Sequence, residues 1–133
     1  MEPLLVILII LALVFDFLNG VQDSSNIVAT IISSRSLSPR LAMGLTAVAE
    51  FCGPFLFGVA VARTIGSEIL PLELMTMPIL LAAVSGAILW NVFSWYFGIP
   101  SSSSHALIGG LLGAGFAGLG VESIRMAGLS KAL

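Results

Sequence analysis

Long apolar blocks alternate with short polar stretches along the chain, and their lengths set the elements to expect. The first block runs from Pro3 to about Leu18 with Asp16 as its only charge, and ends at Asn19-Gly20. From about Asp23 to Ser34, Ile27, Val28, Ile31 and Ile32 repeat at the i, i+1, i+4, i+5 spacing of one helix face. They follow Asp23, Ser24, Ser25 and Asn26, all good N-cap types. The pattern predicts a helix broken by a polar hinge. As one straight helix, residues 3 to 34 would measure about 48 Å against a hydrocarbon core of about 30 Å, so a break, a strong tilt or a re-entrant turn is expected.

Arg35 to Arg40 forms a polar connection whose two basic residues favour the cytoplasmic side, and Pro39 suits the first turn of the next helix. The second block, Leu41 to Ala62, holds Glu50 near its centre. Gly53-Pro54 just after it is expected to kink the helix or widen its packing. Residues 63–77 then form a connection with Glu68 and Glu73 on the opposite side. The third block, Pro78 to Phe97, has Asn91 and Ser94 on one face and Trp95-Tyr96 at its end, where an aromatic belt sits. The polar run Gly98 to His105 leads straight into the glycine-rich block Ala106 to Val121, where Gly109/Gly113 and Gly110/Ala114 have the small-xxx-small spacing of close helix packing. Residues 122–133 read as the start of a further element.

Composition turns this pattern into a solvent assignment. Hydrophobic residues make up 58% of the 133, and the 14 Gly raise the apolar total to about 68%, against a globular norm of about 45–50%. Charged residues are 9% and the net charge is −2, so no basic patch exists for nucleic acid. Cys52 is the single cysteine, which excludes an intrachain disulfide framework. The N-terminal block lacks a basic n-region and an A-x-A-like cleavage site, and reads as a retained membrane segment rather than a secretory signal. The expectation is an all-α, multi-pass protein of the lipid bilayer at the cell (plasma or inner) membrane, one domain over residues 1–133 with broken or re-entrant helices.

Two polar clusters sit where hydrocarbon makes them expensive. A charge at the bilayer centre costs at least about 2.5 kcal/mol on insertion scales, so Asp16, Asp23 and Glu50 are expected to face protein or a wet cavity unless they cap helices at the interface. Asn19 to Asn26 has the composition of an unwound segment. Its backbone carbonyls, the Asp23 carboxylate and the Asn26 amide oxygen are hard ligands suited to Na⁺, or Asp23 can carry a proton; a plain Asn-Gly turn before a capped helix is the bland alternative. Pro100 to His105 places four serines at a helix start, where free N–H groups and the helix dipole favour an anion; a Ser-rich linker is the alternative. With no Lys or Arg beside it, an anion there needs a cation at Asp23. His105 is either a proton site or a donor that fixes the serine loop through a backbone carbonyl. Ser104 next to His105 does not make a catalytic pair, because helix neighbours do not face each other and no Gly-x-Ser-x-Gly elbow is present, so no enzyme is expected.

Phe15 to Thr30, with Gly20-Val21-Gln22-Asp23 and Asn26 three residues after the Asp, resembles the first signature of the inorganic phosphate transporter (PiT) family. Trp95 to Gly110 resembles that family's Pro-x-Ser-Ser/Thr-Ser/Thr-His motif and the helix after it. Gln22 stands where His or Asn is common, and Ser25 where Ala is common. The resemblance covers about residues 8 to 120 and about the first half of a family member. It implies one repeat of an inverted-repeat phosphate:cation symporter working by alternating access. Asn19, Asp23 and Asn26 would serve the cation (Na⁺ at Asp23 and Asn26, or H⁺), and Ser102, Ser103 and Ser104 with Asp23 the phosphate. Glu50, His105 and Asp16 would have proton or structural roles. No cofactor beyond the co-transported ion is implied, and the site needs a second half or a second copy of this chain. A sulfate permease of the same family and a non-transporting membrane assembly subunit are the alternatives.

Overall fold

Helix ends fall where the backbone finds another way to satisfy its polar groups. The computed structural model describes residues 3–57 and 74–120. They form α1 (Pro3–Ser33), α2 (Pro39–Phe57), α3 (Met77–Tyr96) and α4 (Ser103–Leu119), with no strand among the described residues. After α1, the Ser36 N–H bonds to the Ile31 carbonyl and the Arg35 N–H to that of Ile32, a Schellman stop that puts Arg35 at φ 55°. After α3, Ile99 N–H bonds to Ser94 O and Gly98 N–H to Trp95 O, with Gly98 at φ 63° and Pro100 just beyond. Pro39 opens α2 as expected, with Ser38 Oγ accepting from Leu41 N–H at 3.4 Å. Pro54 lies inside α2, which continues past it to Phe57.

The hinge expected at Asn19-Gly20 is not there: α1 runs unbroken through the polar stretch. The reason is that the polar side chains find partners without unwinding the backbone. Ser25 Oγ bonds back to the Val21 carbonyl at 2.6 Å, and Asn19, Gln22, Asp23 and Ser24 bond to other helices. A single helical glycine costs only about 1 kcal/mol relative to Ala, too little to break such a helix. At 31 residues α1 is about 46 Å long, so tilt or protrusion has to absorb the excess over the hydrocarbon core.

α4 returns antiparallel along α3: Ile79 meets Gly118 at one end, and the Trp90 indole meets Ser101 at the other. Between them the backbones come close enough that a Cβ on Gly110 would clash with the Ala83 carbonyl oxygen. Ile79, Ala83, Ala87, Asn91 and Ser94 form the buried stripe of α3, facing Ala106, Ile108, Leu111 and Gly115 of α4 and the flank of α1. α3 packs on α1, and α2 packs on α1 separately. Large apolar side chains such as Leu13, Phe17, Phe51 and Phe55 point outward, as expected of a surface covered by lipid or further protein. α1 and α3 are each long and apolar enough to cross a membrane, while α4 is a shorter apolar helix. The Glu68–Glu73 connection, residues 58–62 of the second block and residues 121–133 lie outside the described residues.

The close approach of α3 and α4 gives a direct check. Gly110→Ala is expected to destabilise the protein by about 1–3 kcal/mol, because the helices must separate to admit the methyl group. Gly20→Ala, where nothing lies within 4 Å of the added carbon, is expected to stabilise it by up to about 1 kcal/mol. Thermal midpoints of the two variants in detergent are the measurement.

Candidate functional site

Asn19, Gln22, Asp23 and Asn26 recur at three and four residues and therefore share one face of α1. Ser103, the first residue of α4 and 3% exposed, places its Oγ within reach of Asn19 Oδ1 and of Asp23 Oδ2 (3.3 Å), so one hydroxyl proton is shared between two acceptors. Gln22 Nε2 donates to the Asn91 carbonyl at 2.9 Å and to Ser94 Oγ at 3.3 Å, and Ser94 Oγ donates in turn to the Asn91 carbonyl at 3.0 Å. On the other flank, Ser24 Oγ lies 2.9 and 3.1 Å from the two Glu50 carboxylate oxygens. The polar turn of α1 is thus tied to all three other helices.

The serine segment is held firmly. Ser102 is the N-cap of α4, its Oγ accepting from His105 N–H at 3.4 Å. Ser101 Oγ accepts from Trp90 Nε1 at 2.7 Å. The carboxylate of Asp23 therefore lies at the start of α4, where the helix dipole favours negative charge. Beside this contact, Gln22, Ser25 and Asn26 of α1, Ser94, and the turn Gly98 to Ser101 enclose a cavity of about 230 Å³. Its donors and acceptors are carboxamides, hydroxyls and turn backbone. Among the described residues no three His, Cys, Asp or Glu gather into a cluster able to hold a metal ion. The oxygens on offer are the hard carboxylate, amide and hydroxyl kind.

The residues expected at the site divide into two groups. Asn19, Asp23 and Ser103 are brought into direct contact, Asn26 lines the adjoining cavity, and Ser102 caps the helix. Ser104 is exposed, so the three serines point in different directions rather than converging. Asp16 is exposed, one turn before Asn19, and stands apart from the contacts. Glu50 is exposed rather than enclosed, and is joined to the site only through Ser24. His105 does not fix the serine loop through a carbonyl. His105 lines an open groove of about 710 Å³ with Trp90, Gly109 and Gly113, and Trp90 holds the serine loop through Ser101 instead. Gln22, Trp90, Asn91 and Ser94 join the site without a strong sequence signal beyond Asn91 and Ser94 lying three residues apart in an otherwise apolar block.

Residues 19–133 match the Phosphate transporter family. The chain belongs to that family. Among its relatives, a probable low-affinity inorganic phosphate transporter of Rhizobium meliloti (strain 1021) is 52% identical over 129 residues, covering 97% of this chain and 39% of that protein. One of the same name from Streptomyces halstedii is 53% identical over 116 residues, covering 86% of this chain and 54% of that protein. The low-affinity inorganic phosphate transporter PitA of Escherichia coli (strain K12) is 37% identical over 119 residues, covering 84% and 24%. The chain therefore spans about half or less of each of these Phosphate transporter family relatives. No solved structure matches it.

The geometry separates neighbouring serines. Ser103→Ala leaves Asn19 and Asp23 without their buried donor and is expected to cost about 1–3 kcal/mol. Ser104→Ala, at an exposed position, is expected to stay within about 0.5 kcal/mol. Denaturation midpoints of the two variants, compared side by side, measure the difference.

Proposed function

We propose that this chain is one repeat of an integral membrane transporter that carries inorganic phosphate together with Na⁺ or H⁺ by alternating access. The observation that carries the reading is the contact of Asn19 and Asp23 with Ser103 at the start of α4. It joins the first polar cluster of the sequence to the second, across 80 or more residues of separation. An oxyanion bound at the α4 N-terminus sits beside the Asp23 carboxylate. At an effective dielectric of about 20, two unit negative charges about 4 Å apart repel by roughly 4 kcal/mol. A cation at Asp23, with Asn19 and Asn26 as further oxygen donors, turns that repulsion into attraction. Anion and cation binding are coupled for this reason.

The depth of the contact supports the reading. Leu18 is the middle residue of α1, so Asn19 and Asp23 lie within about 8 Å of its midpoint along the axis. The turn between α3 and α4 thus approaches α1 near its centre, as a re-entrant hairpin would. Phosphate rather than sulfate is the substrate favoured by the names of the relatives. The remaining ligands come from a second half, or from a second copy of the chain. A non-transporting assembly subunit would have no need of a carboxylate held at a helix start inside an apolar bundle.

Uptake of labelled phosphate by the whole protein in proteoliposomes tests the proposal. Asp23→Asn is expected to lower uptake at least about tenfold, equivalent to about 1.4 kcal/mol, and to flatten its dependence on the driving cation. Uptake at the unmodified rate with unmodified cation dependence overturns the coupling role. Sulfate is expected to compete weakly; competition equal to that of unlabelled phosphate would move the assignment to a sulfate permease.

A further inference from the structure

The basic charge of the described residues is gathered in one place to which the transport reading gives no task. Residues 24–49 contain Arg35 and Arg40 and no Asp or Glu, and these two are the only Lys or Arg among the described residues. Both side chains are exposed on the loop between α1 and α2, with Leu37 half-buried between them. Along the chain the nearest carboxylates are Asp23 on α1 and Glu50 on α2. About 15 Å of helix separates each of them from the loop, beyond a screening length of about 10 Å at 0.1 M salt. The negative end of the α1 dipole and the positive end of the α2 dipole meet at this loop and oppose each other, so the two arginines set its sign.

We propose that Arg35 and Arg40 hold anionic lipid headgroups at the membrane surface where α1 ends. The proposal rests on α1 spanning the bilayer, and three observations select a lipid surface as the partner. The first is depth. Ser33, the end of α1, lies about 22 Å along the axis from the middle residue Leu18. A bilayer about 40–45 Å thick with its headgroups has its outer edge about 20–22 Å from the midplane, so the loop emerges among the headgroups. The second is the apolar flank: Ile32, one turn before Arg35, and Leu41, directly after Arg40, are 37% and 52% exposed. An arginine next to outward-facing apolar side chains runs its stem along them and sets its guanidinium in the phosphate layer. The third is the backbone. The N–H groups of Ser34, Arg35 and Ser36 bond to the carbonyls of Thr30, Ile32 and Ile31, and those of Leu41 and Ala42 bond to Ser38. With these amides spent, the loop offers two separate guanidinium groups to a charged surface rather than a cradle to a single ion.

Each basic residue at an anionic surface is worth about a fivefold preference, so the pair favours an anionic over a neutral surface by about thirtyfold. The contact has a mechanical consequence. α1 is longer than the hydrocarbon core is thick, and tilt or protrusion has to absorb the excess. Headgroups held at Arg35 and Arg40 fix how far this end protrudes, and with it the depth of Asp23, about 15 Å further down the helix. The proposal does not depend on which ion is transported.

The test uses the whole protein in vesicles of equal parts phosphatidylglycerol and phosphatidylcholine. A bimane label at Ser36→Cys, in a Cys52→Ser background, is quenched by whichever lipid carries a nitroxide near the top of its acyl chain. Spin-labelled phosphatidylglycerol is expected to quench at least about twofold more strongly than spin-labelled phosphatidylcholine. Arg35→Gln/Arg40→Gln is expected to remove the difference, and Arg35→Lys/Arg40→Lys to keep it. Salt at about 1 M, where the screening length falls to about 3 Å, is expected to weaken it. Equal quenching by the two lipids with both arginines present overturns the proposal, as does a preference that survives the glutamine variant or disappears in the lysine variant. A preference abolished by inorganic phosphate at fixed ionic strength also overturns it, because the loop then takes a free anion. Alkaline extraction of the same vesicles reports on the spanning reading separately. Protein released by it sinks that reading, whereas retained protein quenched equally by both lipids sinks the headgroup proposal alone.

Discussion

The arrangement of the helices depends on one constraint: in a chain this apolar, the polar turn of α1 has to find partners inside the protein. Successive side chains on an α-helix point about 100° apart. Gln22, Asp23 and Ser24 consequently look in three directions, and each meets a different helix: α3 through Asn91 and Ser94, the start of α4 through Ser103, and α2 through Glu50. Three adjacent residues thereby set where three helices sit around α1. Apolar packing has no comparable directionality, because lipid tails compete with Leu and Ile for the same surfaces.

The same constraint explains what could and could not be read in the sequence. The apolar blocks gave the helices, since length and hydropathy are local properties. The stops after α1 and α3 were visible as the Ser/Arg and Gly-Ile-Pro stretches that close them. The break that the sequence predicts in α1 is absent from the structure because local composition cannot reveal tertiary partners. Asn19, Gly20, Gln22 and Asp23 resemble a loop only while their hydrogen bonds are unaccounted for, and those bonds go to residues 69 to 84 positions away. Asn91 and Ser94 read as polar positions on a spanning helix, and nothing local marks them as the partners of Gln22. The serine run does open a helix, and its divergence follows from helix geometry: adjacent residues cannot aim at one point, and Ser103 alone turns inward.

Electrostatics then narrows what this site can do. Its one carboxylate near the α4 start is Asp23, with no basic side chain among its hydrogen-bond partners, and the surrounding donors are hydroxyls, carboxamides and backbone. Such a set binds a neutral or ion-paired ligand more readily than a lone anion. On the proposed transport reading a companion cation offsets the repulsion, as a partner offsets the desolvation of a buried charge. Glu50, exposed on α2 and tied only to Ser24, is itself a carboxylate and would add negative charge instead of offsetting it.

Where motion can occur follows from which joints are stiff. α1 is regular through Asn19-Gly20, so bending there would break helical hydrogen bonds instead of exploiting a preformed hinge. The α3–α4 hairpin is tighter still. Its turn is closed by a Schellman stop, Pro100 and the Trp90–Ser101 bond, and its two backbones touch at Gly110 and Ala83. By contrast, the hairpin is joined to α1 through a few side-chain hydrogen bonds, all among neutral groups except the one to Asp23. Bonds of that kind exchange readily for water, with a net difference of about 1 kcal/mol each. The joint between these two preformed pieces, the hairpin and α1, is therefore looser than the joint within the hairpin, and its charged member is Asp23.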